Sequence, residues 1–479
     1  MAGARRSLLV SFAERYTALV IGTLGTMLVA RMLTPAEIGV FSIGAVLVGL
    51  AQVLRDFGVG QYVVATATLG TAQLRAALGV ATTAAWSLAA VVALLAGPAA
   101  AFYGQPVLRD VLLLLAVNFL LVPLTSLTLS CLRRALRLSA IYLINTTHSV
   151  TQLSCTLWLA AAGYGSLSLA WGTVAAAMAA VIVSLPLRPA GMPWLPSWKG
   201  AGAVLRFGAY ATGGNIVDEA GVAAPELIVG KLLGPEAVAV FGKAQAMLNL
   251  FNQAVTSAVS PVLLPLFAAQ AREGRSLREP YLLTVGCMTA IAWPFFLLLA
   301  LLPLSATRLL YGPQWDEAAA LIRIMCLAGT LYSMFSMARY LLVATGHVRE
   351  QARLDTLAVL GRVAVVLPAA AGGLQWVAAA VVLGAIFRSW LTWRCLARLA
   401  GVDSQDLLRA AMPSLLVTAV TALAPLSACL FVQPGTNQLL VAVAAAIPLW
   451  LAAVALVRHP LAGELGLAWR RIRGRLQIP

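Results

Sequence analysis

Residues 31–41 read R-M-L-T-P-A-E-I-G-V-F, and residues 231–241 read K-L-L-G-P-E-A-V-A-V-F. The offset is 200 throughout, pairing Arg31 with Lys231, Leu33 with Leu233, Pro35 with Pro235, Val40 with Val240 and Phe41 with Phe241. Each copy lies between two long apolar stretches. Self-similarity at such a joint points to internal duplication, two lobes built on one plan. Among membrane proteins, internal repeats of this kind are a hallmark of transporters.

The surrounding composition is that of a chain dissolved in lipid. Of 479 residues, 61% are hydrophobic and only 10% are charged, with a mean hydropathy of +0.90. A soluble domain carries about 25% charged residues. Apolar windows of about 20 residues recur from end to end, so the expected fold is an all-α polytopic membrane protein. The first apolar stretch contains Glu14 and Arg15 and runs on too long for a cleaved signal peptide.

The six cysteines (131, 155, 287, 326, 395 and 429) form no CxxC, and the three histidines (148, 347 and 459) are scattered, so no metal site is expected. A Walker loop and a G-x-S-x-G elbow are both absent, which leaves ATP hydrolysis and serine chemistry without a candidate. No enzyme and no cofactor is expected. The net charge of +16 reads as basic cytoplasmic loops rather than as a nucleic-acid surface.

Breaks at Pro/Gly-rich or charged joints give about fourteen spans. They lie near 8–30, 37–64, 72–97, 107–131, 138–162, 166–187, 203–231, 236–268, 281–303, 315–344, 350–371, 374–397, 408–431 and 437–457. Most of the 33 cations fall at the termini and in the even-to-odd joints. The joints G-Y-G-S (163–166), G-G-L-Q-W (372–376) and V-Q-P-G-T-N-Q (432–438) hold none. Basic loops stay in the cytoplasm, so both termini are expected inside. Arg31 and Lys231 each close an outward-going span, and six spans separate them, so the lobes are parallel repeats. F-Y-G-Q-P (102–106) and L-Y-G-P-Q-W (310–315) occupy matching outer turns. The expected division is an N-lobe at 1–199, a C-lobe at 200–402, two extra spans at 403–460 and a basic cytoplasmic tail at 461–479, with R-R-I-R-G-R beside Trp469 suited to anionic lipid.

A-R-M-L-T-P-A-E-I-G-V-F followed by L-R-D-F-G-V-G-Q-Y-V-V (30–41 and 54–64) resembles the start of the bacterial polysaccharide or oligosaccharide flippases. These belong to the multidrug/oligosaccharidyl-lipid/polysaccharide exporter superfamily. L-R-F-G-A-Y-A-T-G-G-N (205–215), G-K-L-L-G-P-E (230–236) and Y-G-P-Q-W (311–315) are similar to that family's second-lobe landmarks. The resemblance implies two six-span lobes around a central cavity and a place in the bacterial inner membrane. It also implies that undecaprenyl-pyrophosphate-linked oligosaccharide is moved from the cytoplasmic to the periplasmic leaflet by alternating access. Membrane lipids are partners on this reading, and polysaccharide polymerase or other assembly proteins are admitted. Where the family commonly has an acidic residue followed by N-L-L-I-G in span 7, this chain has A-P-E-L-I at 224–228. Pro225 there is either a bend used in gating or lineage drift.

Flipping requires a hydrated path for an anionic head group. Ionisable residues within spans are costly and therefore functional candidates, and arginine pairs phosphate oxygens with a bidentate fork. Arg15, Lys243, Arg323 and Arg362 are the candidate cationic wall, weighed against ion pairs that only join helices. Arg31, Lys231, Arg109 and Arg308 fall at the outer surface as anchors. Arg55 and Asp56 in L-R-D-F-G mark a helix break and a candidate gate. Asp218 and Glu219 in span 7 are candidates for H⁺ or Na⁺ coupling, weighed against neutralisation of cavity arginines. The polar run 145–152 in span 5 lines a sugar path or bonds helices together. Competing readings are a multidrug/cation antiporter of the same superfamily and a non-transporting scaffold of an assembly complex.

Overall fold

The computed structural model describes residues 2–66, 69–463 and 466, with side chains described within these except at 2–15, 56, 210–215 and 218. Helices occupy every one of the expected stretches, and no strand occurs among the described residues. Ten stretches are single helices. They are α1 (Ala2–Met32), α4 (Thr71–Tyr103), α5 (Pro106–Arg134), α6 (Leu138–Ala161), α7 (Ser166–Ser184), α8 (Ala201–Leu232), α11 (Arg278–Leu301), α15 (Val348–Ala370), α16 (Leu374–Ala400) and α19 (Thr436–Leu456).

Four stretches are broken. The second is α2 (Pro35–Asp56) and α3 (Val59–Ala65), and the eighth is α9 (Pro235–Phe251), a π turn (Asn252–Thr256) and α10 (Ser257–Arg272). The tenth is α13 (Glu317–Phe335) and α14 (Ala338–Ala344), and the thirteenth is α17 (Ser404–Thr421) and α18 (Leu423–Phe431). A short α12 (Pro303–Leu310) and a 3₁₀ turn (Pro313–Trp315) fill the joint before α13.

Among the described residues, ten helical segments are long and apolar enough to cross a membrane, which makes this a multi-pass membrane protein. Of the other four, α1 and α8 contain side chains outside the described set. Helices α6 and α15 fall short because of what they carry: Asn145 to Gln152 in α6, and Arg353, Asp355 and Arg362 in α15.

The chain divides into two compact units, Met1–Val240 and Phe241–Pro479. The cut falls within α9, so α8 groups with the first unit. In that unit α4 packs on α5, α6 on α7, α1 on α6, and α8 against α2, α3 and α4. In the second, α15 packs on α16, α11 on α13 and α17, and α17 on α19. Small residues set the spacing. A Cβ added to Gly172 of α7 would meet Thr156 Oγ1 of α6 at 2.0 Å.

The repeated motif builds the turn before each of α2 and α9. Thr34 caps α2 with a capping box: the Glu37 backbone N–H donates to the Thr34 hydroxyl, and the Thr34 N–H donates to the Glu37 carboxylate at 2.8 Å. Pro35 and Pro235 each begin a helix, where the missing N–H does no harm. The second turn uses Gly234 at φ +89° instead of a hydroxyl cap. The two copies meet directly, since a Cβ on Gly39 would lie 1.8 Å from the Pro235 carbonyl oxygen.

The break expected in L-R-D-F-G is present. Phe57 (φ +32°) and Gly58 (φ +62°) are both left-handed and separate α2 from α3. Arg134, at the end of α5, donates to the carbonyls of Val63 (3.0 Å) and Thr66, closing the C-terminus of α3. Gly208 of α8 lets this break sit close, because a Cβ there would meet Phe57 at 2.3 Å.

Candidate functional site

The break at Phe57–Gly58 opens a cavity of about 900 Å³ within the first unit. Helix α2 contributes Arg55, α3 contributes Gly60 and Gln61, α4 contributes Ala81 and Ala85, α5 contributes residues from Val122 to Arg133, and α8 contributes Glu219. The space follows from side-chain size. Gly58 and Gly60 line it with no side chain, and a Cβ on Gly60 would already approach Ser130 Oγ at 3.1 Å. Pro123, within α5, removes one backbone donor from that wall.

The lining has a polar stripe and two positive heads. Thr125, Ser126 and Ser130 lie along α5 at helical spacing above Arg133. Thr125 donates to the Val122 carbonyl at 3.1 Å and Ser130 to the Ser126 carbonyl at 2.9 Å, so each hydroxyl oxygen keeps acceptor capacity. The Arg55 guanidinium lies 5.6 Å from the centre of the Phe119 ring. Glu219 is the acidic member of the lining. It also lines a second cavity of about 240 Å³, shared with Ser42, Gly49, Val222 and Glu226. Gly49 makes room for it, since a Cβ there would lie 3.4 Å from Glu219 Oε1. Two guanidinium forks, a hydroxyl stripe and one carboxylate suit an anionic group attached to a polyhydroxylated one.

The expected residues are distributed as follows. Arg55 and Glu219 share the larger cavity. Arg15, Asp56 and Asp218 have side chains outside the described residues, as do the basic tail residues 470–475. Helix α8 continues through Pro225 without a break. Lys243 is buried in the second unit, with Nζ 5.0 Å from the Tyr311 ring and 5.2 Å from the Trp315 ring. Arg323 lies on an exposed face of α13. Arg362 donates from Nη2 to the Tyr332 hydroxyl at 2.8 Å. Arg388 pairs with buried Asp355 at 2.7 Å, and Gln351 holds the other carboxylate oxygen at 2.8 Å. At the surface turns, Lys231 stands over the Phe102 ring at 4.2 Å. Arg308 and Asp316 form a two-pronged pair, which raises the Arg308 pKa through its hydrogen bonds to that carboxylate.

Sequence reading does not single out Arg133 or the α5 hydroxyls, and it places Glu226 near mid-depth in span 7 without a role. Arg133 reads as one more basic joint residue. The spacing of Val122, Ser126, Leu129 and Arg133, in steps of three and four, is the signal that places it on the same face as the hydroxyls.

A family model described as polysaccharide biosynthesis protein matches residues 28–320. The chain belongs to this family. The lipopolysaccharide biosynthesis protein WzxC of Escherichia coli is 22% identical over 330 residues, covering 68% of this chain and 67% of its own length. The teichuronic acid biosynthesis protein TuaB of Bacillus subtilis is 21% identical over 261 residues, 52% of each chain. The amylovoran biosynthesis protein AmsL of Erwinia amylovora is 26% identical over 147 residues, and the match spans 38% of its length. Among solved structures, the lipid II flippase MurJ in an inward closed conformation superposes with a TM-score of 0.78 at 13% identity, covering 95% of this chain and 99% of MurJ. An inward-facing multidrug resistance transporter of the MATE family gives 0.63 at 12% identity, covering 83% and 99%. The family and the fold agree with the resemblance read from the motifs.

Proposed function

We propose that the protein is a flippase. It would carry undecaprenyl-pyrophosphate-linked oligosaccharide from the cytoplasmic to the periplasmic leaflet of the inner membrane by alternating access. The observation that carries this reading is the 900 Å³ cavity with Arg55, Arg133, the α5 hydroxyls and Glu219 on its wall. A bare charge near mid-membrane costs about 2.5–3.5 kcal/mol even on permissive scales. Guanidinium forks offset that for phosphate, and the hydroxyl stripe replaces water around sugar. Flipping makes and breaks no covalent bond.

The finer parts belong to the same proposal. Helices α1, α6, α8 and α15 cross the membrane with the other ten, both termini are cytoplasmic, and the lobes are parallel repeats. Arg15, Lys243, Arg323 and Arg362 supply further cationic contacts along the path. Asp218 and Glu219 couple transport to H⁺ or Na⁺, and Arg55, Asp56 and Pro225 lie at gates. The antiporter reading fares worse at the cavity, because a site for cationic drugs wants carboxylates in excess of arginines.

The test is complementation of a strain lacking its own flippase. Charge-assisted hydrogen bonds contribute about 1.5–3 kcal/mol each. Arg55→Ala and Arg133→Ala should therefore lower surface polysaccharide at least about tenfold, while immunoblots show unchanged protein in the membrane. Unchanged polysaccharide with both variants removes the cavity from the mechanism.

A further inference from the structure

Between α7 and α8 runs L-P-L-R-P-A-G-M-P-W-L-P-S-W-K-G, residues 185–200, with four prolines, no acid and two tryptophans. Its inner side is fastened. Met192 is buried in the core formed by α3, α4 and α5, where the Thr128 hydroxyl donates to its Sδ at 3.7 Å. The Ser197 N–H donates to the Arg75 carbonyl at 3.0 Å. Gly79 admits the strand of chain, since a Cβ there would lie 2.5 Å from the Ser197 carbonyl oxygen.

The outer side is apolar and basic. Trp194 and Leu195 are each 66% exposed and Trp198 is 56% exposed. Arg188 donates to the Pro193 carbonyl at 2.8 Å and lays its guanidinium over the Trp194 ring at 3.8 Å, and Lys199 is exposed beside Trp198. Three large apolar side chains held out by a pinned, proline-stiffened loop form a patch rather than scattered exposure. The loop joins the ends of two membrane helices, and its tether to Arg75 sets it at the end of α4 where that helix begins. Tryptophan with arginine and lysine is the composition of the membrane–water boundary, and a cationic stretch without acids attracts anionic head groups.

We propose that residues 185–200 are a strap that lies in the head-group layer and takes anionic phospholipid. Trp194, Leu195 and Trp198 enter the acyl boundary, and Arg188 and Lys199 meet the phosphates. This surface is separate from the cavity of Arg55 and Arg133 and does not depend on what that cavity carries.

The experiment uses the full-length protein in nanodiscs of chain-brominated phosphatidylglycerol or chain-brominated phosphatidylcholine. Phe replaces Trp in the double variant W194F/W198F, and subtraction from wild type isolates two of the 12 tryptophans. The difference emission should be quenched at least about twofold more by the brominated phosphatidylglycerol. The added substitutions R188Q/K199Q should equalise the two lipids. Difference emission untouched by either brominated lipid but quenched by aqueous acrylamide overturns the proposal, and the patch is then a site for a cytoplasmic protein. Equal quenching by both lipids in the wild type also overturns it, because the anionic selectivity is then absent.

Discussion

Single residues decide how charge is housed in this chain, and some of them are legible while others are not. Arg55 stands beside the D-F-G break in sequence and beside the cavity in space. Asp355 and Arg388 are 33 residues apart on different helices, and nothing in the spacing announces their pairing. Arg362, two turns along the same helix as Asp355, is not its direct neighbour; the partner is across the packing surface on α16. Lys243 likewise meets Tyr311 and Trp315, which lie within the second Y-G motif, L-Y-G-P-Q-W. Breaking a buried pair by removing one partner costs about 3–5 kcal/mol. Asp355→Asn should lower thermal stability by about 3 kcal/mol, measured by unfolding of the purified protein. Combining it with Arg388→Gln should recover part of that loss. An additive double variant means the pair contributes nothing.

At the scale of elements, turns are more legible than the polar links between helices. T-P-A-E states its own capping box, and D-F-G-V-G states its break, because both are local chemistry. The link from α11 and α17 to the segment after α19 is not local. The Leu461 N–H donates to His459 Nδ1 at 3.1 Å, which leaves Nε2 as the protonated nitrogen, 3.2 Å from Ser414 Oγ. Ser414 lies 2.8 Å from Thr289 Oγ1 on α11. His459 is 1% exposed, and burial pushes its pKa below the ordinary 6.5. Above that value the ring is neutral in folded and unfolded chains alike, so stability is insensitive to it. Below it the unfolded chain takes a proton that the folded one refuses, and stability falls with pH. The melting temperature should therefore hold above about pH 7 and fall as the pH drops below about 6.5. His459→Gln should lessen that slope, and an identical slope in the variant assigns the loss to other groups.

Across the whole molecule, the alternation of basic and bare joints is the most informative signal, because orientation depends on charge summed over loops rather than on any contact. The division into units is less readable. The 200-residue echo suggests a boundary at residue 200, whereas the compact unit runs on to Val240 and keeps α8. Echoed turns mark ancestry, and contacts mark packing; the two need not cut the chain at one place. Orientation is open to a direct check with a membrane-impermeant maleimide on intact spheroplasts. Gln433→Cys, in the bare joint before α19, should label at once. Ser276→Cys, in the basic joint before α11, should label only after permeabilisation. The opposite pattern inverts the topology.

The two fully described helices too polar to qualify alone, α6 and α15, are the fifth stretch of each expected lobe. Each is followed by a more apolar partner packed along it, α7 and α16. For the ribosome and its insertion channel, that order sets a timetable. A polar helix released singly into lipid has no neighbour for its amide and hydroxyl groups or its charges. It therefore waits beside the channel until the next helix has been synthesised, and the two leave as a hairpin. A nascent chain halted just after residue 161, or just after residue 370, stops with a polar helix made and the apolar helix that packs along it not yet synthesised.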